Sequence, residues 1–404
     1  MATFNIRRFA HPDALKSINP LRLVAFLKPH AEFLSGRGIS LSGNGGGPVD
    51  YERLASVLMS METDAPQALL ESLYLIHEMS TDEGMDRLLE AAKAQGLTLE
   101  HDPESSPADI AIQVFLTNRE LLERQHANTF IFRARSFRYF CGHSGWNGKF
   151  SLPDASVLRT LEKGMDEWFE EKFRGRGSRV FVFPHGRKVN LVVRHGMRFK
   201  REGSIQDGKS GSIYYRPECH DVLVYDKDLN ELSIKAGSKG EREMYLSQVG
   251  RHIFSNDNHF PGDEKYTLQP LLDDGAESLA CDDVEGIEWI LLREVTIYRG
   301  GKHSEIEIRK AKDLFGAMKE RDRSFSSKLR LIMAKFEVKF ADSGKSRTVT
   351  IRPANQAMYT RDDDSLLLEK WMALRGFILS SQEEEQADAG FEPATPIPQP
   401  EVLP

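Results

Sequence analysis

The chain is short of the features that usually announce a function. Its 404 residues include three cysteines, Cys141, Cys219 and Cys281, which lie far apart and form no Cys-x-x-Cys pair. That argues against both a disulfide framework and a structural zinc site. No apolar run reaches the ~18 residues of a membrane span, because charges interrupt each one, and the N-terminus lacks the apolar core of a secretory signal. The expectation is a cytoplasmic protein that does not touch membranes. Catalytic signatures are missing as well. There is no Gly-x-Ser-x-Gly elbow, and the GNGGGP stretch at 43–48 lacks the Lys-Ser/Thr of a phosphate-binding loop, so it reads as a linker. Sequence alone assigns no catalytic residue, no cofactor and no metal.

What is present is an ordinary globular composition, 40% hydrophobic and 28% charged with a net charge of −7, and at about 150 residues per domain it suggests two or three domains. Helical spacing dominates residues 13–127. Leu23, Val24, Leu27 and Leu34 share a face that Pro29 should interrupt, with Gly36 and Gly38 as terminators; Asp50 and Thr81 are N-caps, and Gly96 ends a helix. Over residues 1–127 acids outnumber bases by 18 to 11, which disfavours this part as a nucleic-acid surface.

From Asn128 the segment TFIFRARSFRY alternates with a period of two and reads as a strand. A helix follows over about 153–173. Strand-like pieces SRVFVFP, KVNLVVRHG, MRFKREGS, SIYYRP, HDVLVYD and ELSIKAG come next, separated by turns such as Asp207-Gly208 and Asp228-Leu229-Asn230, and they suggest an antiparallel meander closed by a helix over 241–254. Two further hairpins surround AKDLFGAMKERD, and Asp362 to Asp364 should cap a last helix that packs through Leu366, Leu367, Trp371 and Leu374. After Ser381 the tail has six acids, no bases and five prolines, a composition that predicts disorder. The expected fold is α+β: an acidic helical bundle (1–127), two antiparallel β-rich units with peripheral helices (128–260 and 261–380), and the tail (381–404).

Charge is the strongest anomaly. Between Lys172 and Arg216 there are 12 bases and two acids, Glu202 and Asp207. Arg187, Lys188, Arg194, Arg198, Lys200 and Arg201 are therefore the candidate nucleic-acid-binding residues, a basic strip able to neutralise phosphates, with Phe199, Tyr214 and Tyr215 as rings for base stacking. The alternative is that the strip faces an acidic protein surface, with the aromatics in the core. His185, His195, His220, His252 and His259 cluster loosely with Cys219, but none of the metal-binding spacings occurs, so turn or surface histidines are expected.

Other constellations are weaker. Glu337-Val338-Lys339, with Asp313 or Asp322 upstream, has the Glu-x-Lys of metal-dependent nucleases, yet any strand with one wet face shows that alternation. The pairs Glu305/Glu307 and Asp282/Asp283 are candidate cation or acid-base groups that more often just face water. Cys141 and His143 share a Gly-rich turn, and GRGSR at 175–179 offers an anion both backbone and arginine, although a helix-to-strand turn explains it equally well.

In VVRHGMRFKREGS, YYRPECHDVLVYD and YTRDDDSLLLEKW the chain resembles an uncharacterised bacterial protein family over most of its length. The resemblance implies a bacterial cytoplasmic protein and carries over no catalytic residue. Proteins of this type are often accessory subunits of multi-gene systems, phage defence among them. The expected function is thus a non-enzymatic adaptor that holds nucleic acid or an acidic partner through the basic β region. Two alternatives stay open: a metal-dependent nuclease or other hydrolase in the C-terminal β unit, and a regulator that binds only proteins.

Overall fold

A computed structural model describes residues 6–41, 49–61, 64–143, 146, 148–206, 208–360 and 364–379. The expected linker at 43–48 and tail at 381–404 lie outside them, as do Asp207, Asp362 and Asp363. The chain is α+β, and its sheets are antiparallel.

The strands in chain order are β1 (Ser136–Cys141), β2 (Arg179–His185), β3 (Lys188–Gly196), β4 (Lys200–Gln206), β5 (Lys209–Tyr215), β6 (Glu218–Asp226), β7 (Glu231–Lys235), β8 (Ile287–Gly300), β9 (Glu305–Lys310), β10 (Arg330–Phe340), β11 (Arg347–Arg352) and β12 (Gln356–Met358). Ten of them join in one sheet, ordered β2-β3-β6-β7-β1-β12-β11-β10-β8-β9, and β4 pairs with β5 in a separate two-stranded sheet. The two β-rich units expected at 128–260 and 261–380 are therefore not separate sheets. Hydrophobic alternation sets the faces of a strand but not its neighbours, and β1 takes one neighbour from each group: Phe140 lies opposite Leu232 of β7, and Ser136 opposite Met358 of β12.

Contacts divide the chain into two units, Met1–Ile131 with Met197–His220, and Phe132–Gly196 with Asp221–Pro404. The first contains α1 (Arg7–Ala10), α2 (Pro12–Lys16), α3 (Pro20–Leu27), α4 (Ala31–Gly36), α5 (Tyr51–Met59), α6 (Gln67–Met79), α7 (Asp82–Ala94), α8 (Pro107–Thr117) and most of α9 (Arg119–Arg133). Side-chain oxygens start several of these helices by satisfying free backbone donors: Arg53 N–H donates to Asp50 Oδ1 and Gly84 N–H to Thr81 Oγ1, each at 3.0 Å. Pro29 lies in the 3-10 turn Lys28–His30 that separates α3 from α4. Leu23, Phe26, Leu54, Leu73, Ile110 and Leu122 meet in one buried core.

The strand expected from residue 128 begins later. Asn128–Arg133 continue α9, and extended chain starts at Ser136. The reason lies in four-residue spacing: the rings of His126 and Phe130 meet edge to face at 5.4 Å, as only a helix allows, and Phe130 stacks on His220 at 3.8 Å.

In the second unit α10 (Ala155–Glu171) and α11 (Lys239–Phe254) cover one face of β2, β3, β6 and β7. Leu161, Met165 and Phe169 of α10, with Met244, Tyr245 and Val249 of α11, share a core with Val189, Leu191, Val193 and Leu223. Farther along the chain are α12 (Gln269–Asp273), α13 (Leu314–Lys319) and α14 (Ser365–Leu374). The latter anchors through Trp371, which is fully buried against Phe336 of β10 (5.7 Å) and donates its indole N–H to Ala280 O (3.1 Å). Leu368, Trp371 and Met372 form its buried face, whereas Leu366 and Leu374 are exposed, contrary to the expected stripe.

Candidate nucleic-acid interface

The most exposed part of the basic region is the β4–β5 hairpin. Its register places Lys200 opposite Tyr215, Arg201 opposite Tyr214 and Ile205 opposite Ser210. Gly208 supplies a left-handed φ of +73° at the tip, a conformation that costs a glycine little. The base is closed by Met197 N–H donating to Pro217 O at 2.7 Å. Because the hairpin stands outside the ten-stranded sheet, its side chains are wet on both faces: Phe199 is 61% exposed, Tyr214 59% and Ile205 78% on one, and Ile213 50% and Tyr215 37% on the other. Directly opposite residues of a strand pair share a face, so Arg201 lies beside Tyr214. Phe199 and Tyr214 are nearly parallel, with centroids 6.1 Å apart, and the Arg216 guanidinium is 5.8 Å from the Phe199 ring. On the other face Glu202 pairs with Lys200 at 3.5 Å and bonds the Tyr215 hydroxyl, raising the phenol above its ordinary value.

The six candidate bases fall in two groups. Arg198, Lys200 and Arg201 belong to the hairpin, in the first unit; Arg187, Lys188 and Arg194 belong to the second. Arg187, in the β2–β3 turn, has its Nε 3.2 Å from Asp226 Oδ2. Lys188 and Arg194 share a face of β3 about 20 Å apart, at 3.3 Å per residue, and Arg194 lies opposite Arg179 of β2. The structure thus brings Lys200 and Arg201 together with exposed rings, while Arg187 is neutralised by a buried carboxylate.

Three histidines depart from the turn or surface placement expected of them; one is His220, in β6, whose side chain is almost buried beneath the Phe130 ring. His195 is buried on the helix-covered face of β3, stacked on Phe169 at 4.3 Å, with Nε2 3.0 Å from Asp221 Oδ2 and Nδ1 3.0 Å from Gly196 O; Tyr245 also donates to that carboxylate oxygen, at 2.9 Å. His259 is buried too. It stacks on Phe254 at 4.0 Å, its Nε2 is 3.0 Å from Asn230 Oδ1, and burial, helped by His143, lowers its proton affinity. Residue type gave no warning of any of them, since burial of a polar side chain depends on partners that are remote in sequence. The same holds for Lys265 and Glu231, whose charged groups lie 2.7 Å apart in the interior.

The weaker constellations have structural employment. Glu337 binds Arg293 at 2.5 Å and accepts from the Ser346 hydroxyl, while Lys339 donates to Phe340 O and Ser343 O and lies 3.3 Å from Glu288. Asp313 caps α13 by accepting from Gly316 N–H, and Asp322 sits at φ +50° in the turn that follows. Glu307 is held by Arg299 and Arg309, and Asp283 by Arg375. Cys141 exchanges backbone hydrogen bonds with Gly262, and His143 N–H donates to His259 O. The anion at GRGSR is internal: Gly177 and Ser178 N–H donate to the Asp166 carboxylate of α10 at 3.1 and 2.8 Å. A groove of about 1020 Å³ in the second unit is lined by Trp289 and Phe315 and by the acids Asp273, Asp274, Glu277 and Glu288, which would repel phosphate.

Comparison with known proteins returns no matching family model and no matching curated protein. Among the described residues, no helix is long and apolar enough to cross a membrane.

Proposed function

We propose that this chain is a nucleic-acid-binding adaptor that engages phosphates and bases through the β4–β5 hairpin. The observation that carries the reading is the joint exposure of Phe199, Arg201 and Tyr214 on a two-stranded ribbon outside the main sheet. Cations on such a ribbon displace counterions from the phosphate backbone, and rings accept bases without regard to sequence. In this reading the chain has no catalytic step of its own and works in the cytoplasm of a bacterium beside a protein partner.

The test is fluorescence anisotropy with labelled single- and double-stranded DNA and RNA across a salt series. Arg201→Ala combined with Lys200→Ala should weaken binding to all sequences alike and reduce the slope of log affinity against log salt by about 2, one per lost phosphate contact. Unchanged affinity and slope in the double variant would sink the assignment.

A second reading, capture of an acidic protein, is favoured by Ile205 and Ile213, which are 78% and 50% exposed on the same hairpin and offer nothing to a phosphate. It predicts a partner whose binding is weakened by Ile205→Ser and by salt together.

A further inference from the structure

We infer that the β9 edge of the large sheet pairs with the same edge of a second copy of the chain. The sheet ends at β9, which is paired with β8 alone among the described residues. A terminal strand of this kind presents a row of outward backbone donors and acceptors. Its sequence is Glu305-Ile306-Glu307-Ile308-Arg309-Lys310.

The two faces of β9 differ. Glu307 lies opposite Ile297, and Arg309 opposite Val295, on the side where Ile297 and Val295 are fully buried; there Arg309 reaches toward the Phe325 ring at 6.0 Å. Ile306 and Ile308, opposite Tyr298 and Thr296, point to the other side and are 55% and 63% exposed. Two β-branched residues at alternate positions on a sheet edge suit a strand neighbour and are costly to leave in water.

Charge selects the occupant. Edge charges normally block pairing with arbitrary strands, but this strand complements itself. In an antiparallel pair related by a two-fold axis perpendicular to the sheet, residues directly opposite must share a face, so their numbers sum to an even value. The register centred on Ile308 places Ile308 against its own copy, Glu307 against Arg309 of the copy and, by symmetry, Arg309 against Glu307 of the copy. Ile306 then packs along the aliphatic stem of Lys310 of the copy. No like charges oppose each other in this register. Because the contact is isologous, it closes at two copies rather than growing into a fibre.

The experiment is sedimentation velocity of the full chain over a hundredfold concentration range, in reductant so that Cys141 and Cys219 cannot cross-link copies. The mass should rise from 45.8 kDa toward twice that value with concentration. Ile308→Lys should remove the rise. Glu307→Arg alone and Arg309→Glu alone should each weaken self-association at least tenfold; the two in one chain should restore it, and so should an equimolar mixture of the two single variants, which restores no intrachain Glu307–Arg309 pair. A monomer at every concentration overturns the inference, as does a dimer that ignores all four variants. These outcomes are independent of nucleic-acid binding by the hairpin.

Discussion

The ammonium of Lys265 lies 2.7 Å from Glu231 Oε1 and 4.1 Å from the centre of the Tyr139 ring, with both charged side chains almost sealed from water. Burial pushes the Glu231 carboxyl up, and the carboxylate in turn holds the Lys265 proton more tightly than usual. Removing one member leaves an uncompensated charge in the interior. Lys265→Met should therefore cost about 3–5 kcal/mol of stability, and adding Glu231→Leu should recover much of the loss. Urea denaturation of the two variants checks this; a double variant no more stable than the single one would contradict it.

Asn230 is a second structural knot. Its φ of +46° is left-handed, its Oδ1 accepts from Tyr225 (3.1 Å) and faces His259 Nε2 (3.0 Å), and its Nδ2 donates to His143 O (3.3 Å). Asn230→Ala loses the bonds and strains the turn, for an expected loss of about 2–4 kcal/mol. Asn230→Gly keeps the backbone conformation and should recover about 1 kcal/mol of it. Thermal melts of both variants would show whether the order holds.

His259 makes stability depend on pH. Burial holds its imidazole below the ordinary value of about 6.5, so the folded state prefers it neutral. Between that ordinary value and the lower folded one, the unfolded chain binds more protons, and stability rises with pH. The contribution is complete above about pH 6.5 and is lost as pH falls from there toward the folded value. Melting temperatures between pH 7.5 and 5.5 should fall more steeply for wild type than for His259→Gln; parallel curves would show that another group dominates.

The hairpin rings give a prediction about strandedness. Phe199→Ala with Tyr214→Ala removes the stacking surface and leaves every cation in place. Single-strand affinity should fall about tenfold or more, since each stacked base is worth ~1–3 kcal/mol, and duplex affinity should change little. Equal losses on both would point to a disturbed hairpin rather than lost stacking.

Glu337 is expected to matter for packing rather than cleavage. Its carboxylate is engaged by Arg293 and Ser346, so Glu337→Gln should lower stability by up to about 1 kcal/mol, as half-exposed ion pairs do. Magnesium-dependent cleavage of DNA or RNA that disappears in this variant, with its melting temperature unchanged, would revive the nuclease alternative.

Much of the secondary structure was legible because local chemistry decides it. The caps at Asp50 and Thr81 and the interruption at Pro29 stand where their side chains and ring require. Strands β2 to β7 announced themselves by alternation and turns. What sequence could not reveal was adjacency. β4 and β5 leave the meander while β6 returns beside β3, and no residue in between marks the choice. The error at Asn128 came from a real conflict, since TFIFRAR satisfies a period of two and a four-residue pair at once. His195 was misplaced for a similar reason: Asp221 lies 26 residues away, and Phe169 an equal distance on the other side. The exposed rings of the candidate interface were found as residues, but their exposure followed only from the hairpin's departure from the sheet.

The central position of β1 bears on how the chain is made. Among the described strands it comes first in chain order, and the 217 residues from Cys141 to Met358 must be added before its β12 side can be covered. At ~5–20 residues per second, that edge waits about 10 to 45 s on the ribosome. A message truncated near residue 260 would release a product with the edge permanently open, and such a product should depend on chaperones to stay in solution.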